Sequence, residues 1–440
     1  MIRSWPLFTA LAVLSAISGC AGHKPPKLAT ATPLRNGSLT FTAGIEVAAS
    51  ADLPADFAAD PAYAPVWLDH GAEIAVAGRT NRKTIVLGFG GPGWAIQHVI
   101  AEDFGVGAPR GKLLDLAAAP DGLTVATAVA EPAEQRLEVI VRGTVSDSAD
   151  RPMASFAGVY DWAQLKWLND STIALALRTN PPGGASDDAG VVSLHLITVA
   201  GQPTTKAFDH LACGLSPLSY SIDTRMAVAQ GSRGAAPALL DLRDGTCRAL
   251  PLREPIRVLA WAPDSSSFLY MAQGDGRVAG VFRYDLSRGV ARVVAIASAA
   301  AAYASDGAVV AVGNRTLSWR RAAAAPDQQV TAEIALTPAG QSTTTINSLG
   351  FATSPAMLAE SSMVFSENSD RGVIDITIPV AAAPLRELIE YSYPTRAAFV
   401  LASGPAGPPI PMSWSPDGKL IALVDTGVQP NRLTVLAPPR

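Results

Sequence analysis

Aromatic side chains are scarce in this 440-residue chain, at 6%, and charge of either sign is thin, at 16%. Soluble domains usually carry about a quarter charged residues. The formal net charge is −4. Without a basic run, this argues against a nucleic-acid footprint. The five histidines, at positions 23, 70, 98, 195 and 210, are scattered and give no metal-ligand spacing. Only three cysteines occur: Cys20, Cys213 and Cys247. The most conspicuous apolar run, about residues 7–17, is too short to span a bilayer, and no other stretch reads as a transmembrane helix. What is abundant is small apolar residues. Hydrophobic residues make up 48%, much of it alanine, enough for a substantial core.

The N-terminal run follows Arg3 and ends in Ile17-Ser18-Gly19-Cys20. Its length and flanks are those of a signal-peptide core. The aliphatic residue, two small residues and cysteine resemble the lipobox of bacterial lipoproteins. That resemblance implies a signal peptide over 1–19, and lipid on Cys20 as first mature residue. Several acyl chains together give stable anchoring where one does not. It also implies an envelope location, and Ala21 leans toward the outer membrane, facing the periplasm, in a Gram-negative cell. Residues 20–36, rich in Pro, Ala and Thr, read as a flexible tether. In an oxidising envelope Cys213 and Cys247 either pair or stay as two free thiols; the sequence leaves both open.

From about residue 60 a theme recurs. "PMSWSPDGKLIALV" (411–424) is its clearest copy; "VLAWAPDSSSFLYMA" (258–272) and "LLDLAAAPDGLTVATAV" (113–129) are others. Each has a short apolar strand, a Pro/Asp/Gly/Ser turn, and a strand of alternating apolar residues. Pro presets φ, Asp hydrogen-bonds nearby backbone, and Gly takes positive φ, which is hairpin chemistry. Anchors fall at Trp67, Ala118, Trp167, Tyr220, Trp261, Tyr303 and Trp414, with a degenerate copy near Phe351. Some anchors are followed by a second hairpin, so the unit is about four strands in roughly 40–55 residues, a propeller signature. The motif resembles the W-S-P-D-G-K repeat of TolB-like (PD40, WD40-like) bacterial β-propellers. The expectation is all-β: a single propeller of seven or eight four-stranded blades over 37–440. The stretch "GSLTFTAGIEV" (37–47) is the candidate for an N-terminal strand that completes the last blade. Residues 385–410 do not fit the repeat cleanly.

Gly88, Gly90 and Gly93 have the G-x-G-x-x-G spacing of a dinucleotide turn. No βαβ train accompanies them, so they read as the turn between the third and fourth strands of the first blade, with 94–104 extended. No G-x-S-x-G elbow is present, and no stretch is left over for a hydrolase domain. The recurring Asp121, Asp170, Asp223, Asp264, Asp306 and Asp417 occupy equivalent turns, which suits structure better than acid–base work. The tryptophans at the repeat position read as packing between blades rather than sugar stacking. "SENSDRGVID" (366–375) is rich in oxygen ligands but lacks EF-hand spacing and reads as a turn. No catalytic, cofactor or metal site is therefore expected. The TolB-like resemblance implies a non-catalytic module that binds an envelope protein partner; the alternative is a small-ligand binder or enzyme at the channel mouth.

Overall fold

The computed structural model describes residues 34–438, apart from 62, 81–83, 91–94, 103–110, 132, 144–150, 180–191, 201–202, 209–216, 231–235, 253–255, 273–279, 297, 305, 317–328, 338–343, 353–361, 367–370, 379–384, 393, 396 and 409. Pro33–Arg440 forms one compact unit. Its described residues are almost entirely strands, with one 3-10 turn at Asp69–Gly71.

The strands group into eight antiparallel sheets. The innermost strand of each, in chain order, is Val66–Leu68, Lys112–Ala118, Tyr160–Asn169, Leu218–Tyr220, Ile256–Trp261, Ser298–Tyr303, Ser362–Phe365 and Met412–Trp414. We number these blades 1 to 8. Each innermost strand contacts or hydrogen-bonds to that of the next blade, and blade 8 returns to blade 1. The result is a closed β-propeller, at the upper of the two blade counts expected.

The alanine-rich composition has a direct use here. Ala126 and Ala128 of blade 2 are fully buried against Trp167, Ile173 and Leu175 of blade 3. Ala174, Ala176, Ala227 and Ala229 do the same between blades 3 and 4. Small residues on one face let large ones from the next interdigitate without voids. Aromatics are concentrated instead around blade 5, where Trp261, Phe268, Tyr270 and Tyr284 are buried together.

The dinucleotide-like stretch is a hairpin. Thr84–Gly90 pairs antiparallel with Ala95–Glu102 as the third and fourth strands of blade 1, and residues 95–102 are extended. Residues 91–94, including Gly93, lie outside the described residues. Gly90 is required by a close approach: a Cβ there would sit 2.9 Å from the Ala72 carbonyl oxygen.

Ring closure is more elaborate than one added strand. The stretch 37–47 is divided between two blades. Leu39–Phe41 pairs with Ala397–Pro405, the outer strand of blade 7, and Leu34–Asn36 adds a sixth strand beyond it. Glu46–Asp52 pairs with Arg432–Ala437 as the outer strand of blade 8. Ala58–Ala59 then pairs with the second strand of blade 1. Residues 34–59 therefore strap three consecutive blades together.

The strap is held by buried polar contacts. The Asp425 carboxylate accepts from Ser38 N–H (2.7 Å), the Ser38 hydroxyl (2.7 Å) and Gly427 N–H (2.9 Å). Asn36 donates to Ser50 Oγ (3.0 Å) and Thr434 Oγ1 (3.2 Å), and accepts from Arg432 (2.6 Å). Asn431 Oδ1 accepts from Ala59 N–H at 2.8 Å.

Candidate functional site

The tryptophans among the repeat anchors are blade-to-blade clips. Trp67 Nε1 donates to the Ser413 carbonyl (3.3 Å), Trp167 to Ala117 (3.0 Å), Trp261 to Ser219 (3.2 Å) and Trp414 to Val364 (3.0 Å). Each acceptor immediately precedes the anchor residue of the preceding blade. The indole fills the gap between sheets and satisfies a carbonyl in the same stroke. The rule also identifies the anchor of blade 7 as Phe365, one residue after Val364. This corrects the placement near Phe351, which lies on Thr344–Ala352, the outer strand of blade 6.

The turn aspartates are caps. Asp121 accepts from Leu123 N–H, Asp264 from Ser266 N–H, Asp306 from Ala308 N–H and Asp417 from Lys419 N–H. Asp223 accepts from Arg225 N–H and the Ser221 hydroxyl. Blade 3 differs: there Asn169, not Asp170, accepts from Ser171 N–H at 2.9 Å. Hydrogen bonds from Lys419 and Ser415 hold Asp417 down at about 2. Gly122 and Gly418 take φ of 68° and 67°. At the same turn position blades 4 and 5 have Thr224 and Ser265, with φ of 54° and 57°. A side chain at positive φ costs energy. Both hydroxyls are used across blades: Thr224 Oγ1 donates to the Leu168 carbonyl, and Ser265 Oγ accepts from Asp223 N–H.

These turns lie on one face of the ring and touch one another. Asp69 N–H donates to the Gly122 carbonyl at 2.7 Å. Two large apolar side chains project from this face: Leu123 is 42% exposed and Ile222 57%. Arg225 and Lys419 are exposed beside their aspartates. The turn face thus presents two exposed apolar side chains among charges, on turns tied to one another by hydrogen bonds.

Two buried ionisable sets lie outside the repeat motif. On the inner strand of blade 2, Asp115 accepts from Leu165 N–H of blade 3 (2.6 Å) and from Leu116 N–H (2.8 Å). Burial pushes its carboxyl up to about 6. Gln164, at the equivalent place on blade 3, accepts from Leu218 N–H of blade 4 and donates to its carbonyl. Asp115 thus stands where blade 3 has an amide, but it only accepts. Burial and then the Asp115 charge raise Tyr63, to about 12, and Tyr220.

The second set lies between blades 7 and 8, where Asp375 pairs with Arg386 at 3.0 Å and Arg371 pairs with Glu390. Arg386 also donates to the Gly407 and Pro408 carbonyls. Burial raises both Asp375 and Glu390, opposed by their arginines. This explains the poor fit of 385–410: Arg386 and Glu390 stand on the face that packs on blade 8, where the repeat has apolar residues. Asp375 is therefore an ion-pair partner between adjacent strands of blade 7, and it also accepts from Ile410 N–H at 3.2 Å, in the segment that leads into blade 8. Residues 367–370 of the same oxygen-rich segment lie outside the described residues, and Ser366 N–H donates to the Arg371 carbonyl across that hairpin.

Cys247 lies on the outer strand of blade 4 and is disulfide-bonded. Cys20 and Cys213 lie outside the described residues. Among the described residues, no three His, Cys, Asp or Glu side chains come together to hold a metal ion. No helix among them is long and apolar enough to cross a membrane, which says nothing of strands.

No protein-family model matches the chain, and no curated protein matches it in sequence. Solved structures do. The Dos1 propeller aligns at TM-score 0.56 and 10% identity, over 90% of this chain and 95% of that one. A structure from work on two prolyl endopeptidases aligns at 0.50 and 15% identity, over 84% of this chain and 54% of that one, so the chain spans about half its length. The likeness shows a β-propeller fold. A putative TolB from Agrobacterium tumefaciens is also similar, at 0.33 and 16% identity over 66% of this chain and 94% of that one. At these identities only the propeller architecture is shared.

Proposed function

We propose that this chain is a lipid-anchored protein of the bacterial cell envelope whose propeller is a non-catalytic platform for a protein partner. One observation carries the platform reading. The repeat tryptophans and most of the turn aspartates are engaged in clips and caps, and the turn face they build presents Leu123 and Ile222. The anchor rests on the lipobox-like stretch at 17–20, and Ala21 leans toward the outer membrane, facing the periplasm, in a Gram-negative cell. A Cys213–Cys247 bridge belongs to the same reading, since an oxidising compartment sustains it.

The test has two arms. Cys20→Ala, or globomycin, releases the protein from membranes; unchanged fractionation of the Ala variant sinks the anchor. Photo-crosslinkers at positions 123 and 222 capture a specific protein. A clean result at both, with a metabolite shifting the melting temperature instead, hands the site to a small ligand at the channel mouth.

A further inference from the structure

We infer that the outer edge of blade 7 is a strand-addition site for an extended, uncharged segment of a partner polypeptide, docked end to end with the protein's own Leu39–Phe41. The outer strand runs Ala397–Pro405, yet the strap covers only part of it: Thr40 lies opposite Ser403, Phe41 opposite Ala402, and Thr42 N–H donates to the Leu401 carbonyl at 2.9 Å. The chain then turns away, with Ile45 N–H bonded to the Thr42 carbonyl, toward blade 8. Ala397–Val400 are paired on their inner side to Ile389–Ser392, and no described strand pairs with them on the outer side. Four residues of open ladder, about 13 Å at 3.3 Å per residue, thus continue an interface already in use.

This length lacks the devices that blunt sheet edges. The outer strand of blade 2 carries Pro152, that of blade 3 Lys206, and that of blade 4 is only three residues long. Ala397–Val400 has neither proline nor charge, and Phe399 is 48% exposed. The strap shows what the edge selects. Leu39 and Phe41 are each 1% exposed, with Thr40 between them only partly buried. A matching partner segment alternates apolar and small polar residues, and sets a β-branched or aromatic side chain against Phe399. Main-chain hydrogen bonds then give affinity, and alternate side chains give specificity. The outer strand of blade 5, Val290–Ile296, also exposes Val293, at 59%, but no segment of the chain adds to it and it serves as a control.

The inference rests on the platform reading, and its test separates the two. The probe is a fluorescein-labelled peptide, Gly-Ser-Val-Thr-Val-Thr-Val-Thr-Gly, titrated into the full chain. It is expected to bind saturably and to slow amide exchange at 397–400 by roughly ten-fold or more. Phe399→Lys is expected to weaken binding about ten-fold with an unchanged melt, whereas Val293→Lys leaves it intact. Phe399→Ser replaces the Lys variant if that one does not fold. Absence of saturable binding, unchanged exchange at 397–400, or loss with Val293→Lys instead overturns the site. In cells, a crosslinked partner at 123 or 222 with none at 399 leaves the platform standing and overturns this inference. No adduct from any position overturns the platform itself.

Discussion

At the scale of single residues, one equivalent position holds an amide in blade 3 and a carboxyl in blade 2. Gln164 both accepts from and donates to Leu218, while Asp115 accepts two N–H groups and donates none. Burial raises Asp115 to about 6, against roughly 3.9 in an unfolded chain. A folded pKa above the unfolded one means the folded state prefers the protonated acid. The stabilisation is full below about pH 4 and is lost as pH rises to about 6. At 1.36 kcal/mol per unit the swing is up to about 3 kcal/mol. Asp115→Asn removes the titration, although one backbone N–H then loses its acceptor at every pH. Wild type minus variant stability should therefore fall by about 2–3 kcal/mol between pH 4 and pH 7. Urea unfolding at intervals across that range reads it. Glu73, which burial followed by the Asp69 charge raises to about 7, titrates nearby but is common to both proteins and cancels. Parallel stability profiles would show that Asp115 stays ionised when folded.

At the scale of elements, what was legible followed from local chemistry. The Trp-Ser-Pro-Asp-Gly stretch at 414–418 and Trp-Ala-Pro-Asp-Ser at 261–265 set inner strands and their turns, because a bulky clip and an Asp cap are both written in a few residues. Blade 7 was misplaced because it breaks both rules. Its anchor is Phe365, with no indole to donate and no proline in the turn that follows, while "GFATSP" upstream imitates the pattern. The strap was half-legible: alternation predicts strands in 37–47, but period two cannot tell which edge a strand joins. That choice is made by long-range polar contacts, chiefly Asp425 with Ser38. Gly37 belongs to the same contact, since it takes φ 68° and a Cβ there would lie 2.5 Å from the Asp425 carboxylate. Asp425→Ala strands the Ser38 and Gly427 N–H groups in a buried place, at about 2–4 kcal/mol. The variant should lose about that much in urea unfolding, with faster amide exchange at 38–42 than at 165–177 of blade 3. Equal exchange changes in both segments would make Asp425 a general core residue rather than the lock of the strap.

At the scale of the whole molecule, the first described residues complete the last blades of the ring. Here Glu46–Asp52 completes blade 8, Leu39–Phe41 buries two large side chains against blade 7, and Ala58–Ala59 reaches blade 1. The propeller is therefore closed by its own N-terminal residues, which follow the proposed lipid site at Cys20 in the sequence. Two truncations separate these roles. A chain beginning at residue 33 retains the whole compact unit and should melt with the full-length protein. A chain beginning at residue 53 leaves blade 8 with three strands and uncovers Leu388, Leu401 and Leu436 at the strap's footprint. Losing buried Leu39 and Phe41 alone removes roughly 3–6 kcal/mol of apolar burial, at about 1.5–3 kcal/mol per side chain. Loss of the ladder along Arg432–Ala437 adds to it. That sum is comparable with the whole stability of many folded proteins. The shorter chain should populate an opened ring, read as early proteolysis within 397–438 and as concentration-dependent association through the exposed edges of blades 7 and 8. A monomer as protease-resistant as the longer chain would mean that packing between blades 8 and 1, through Trp67 and Ser413, closes the ring without the strap.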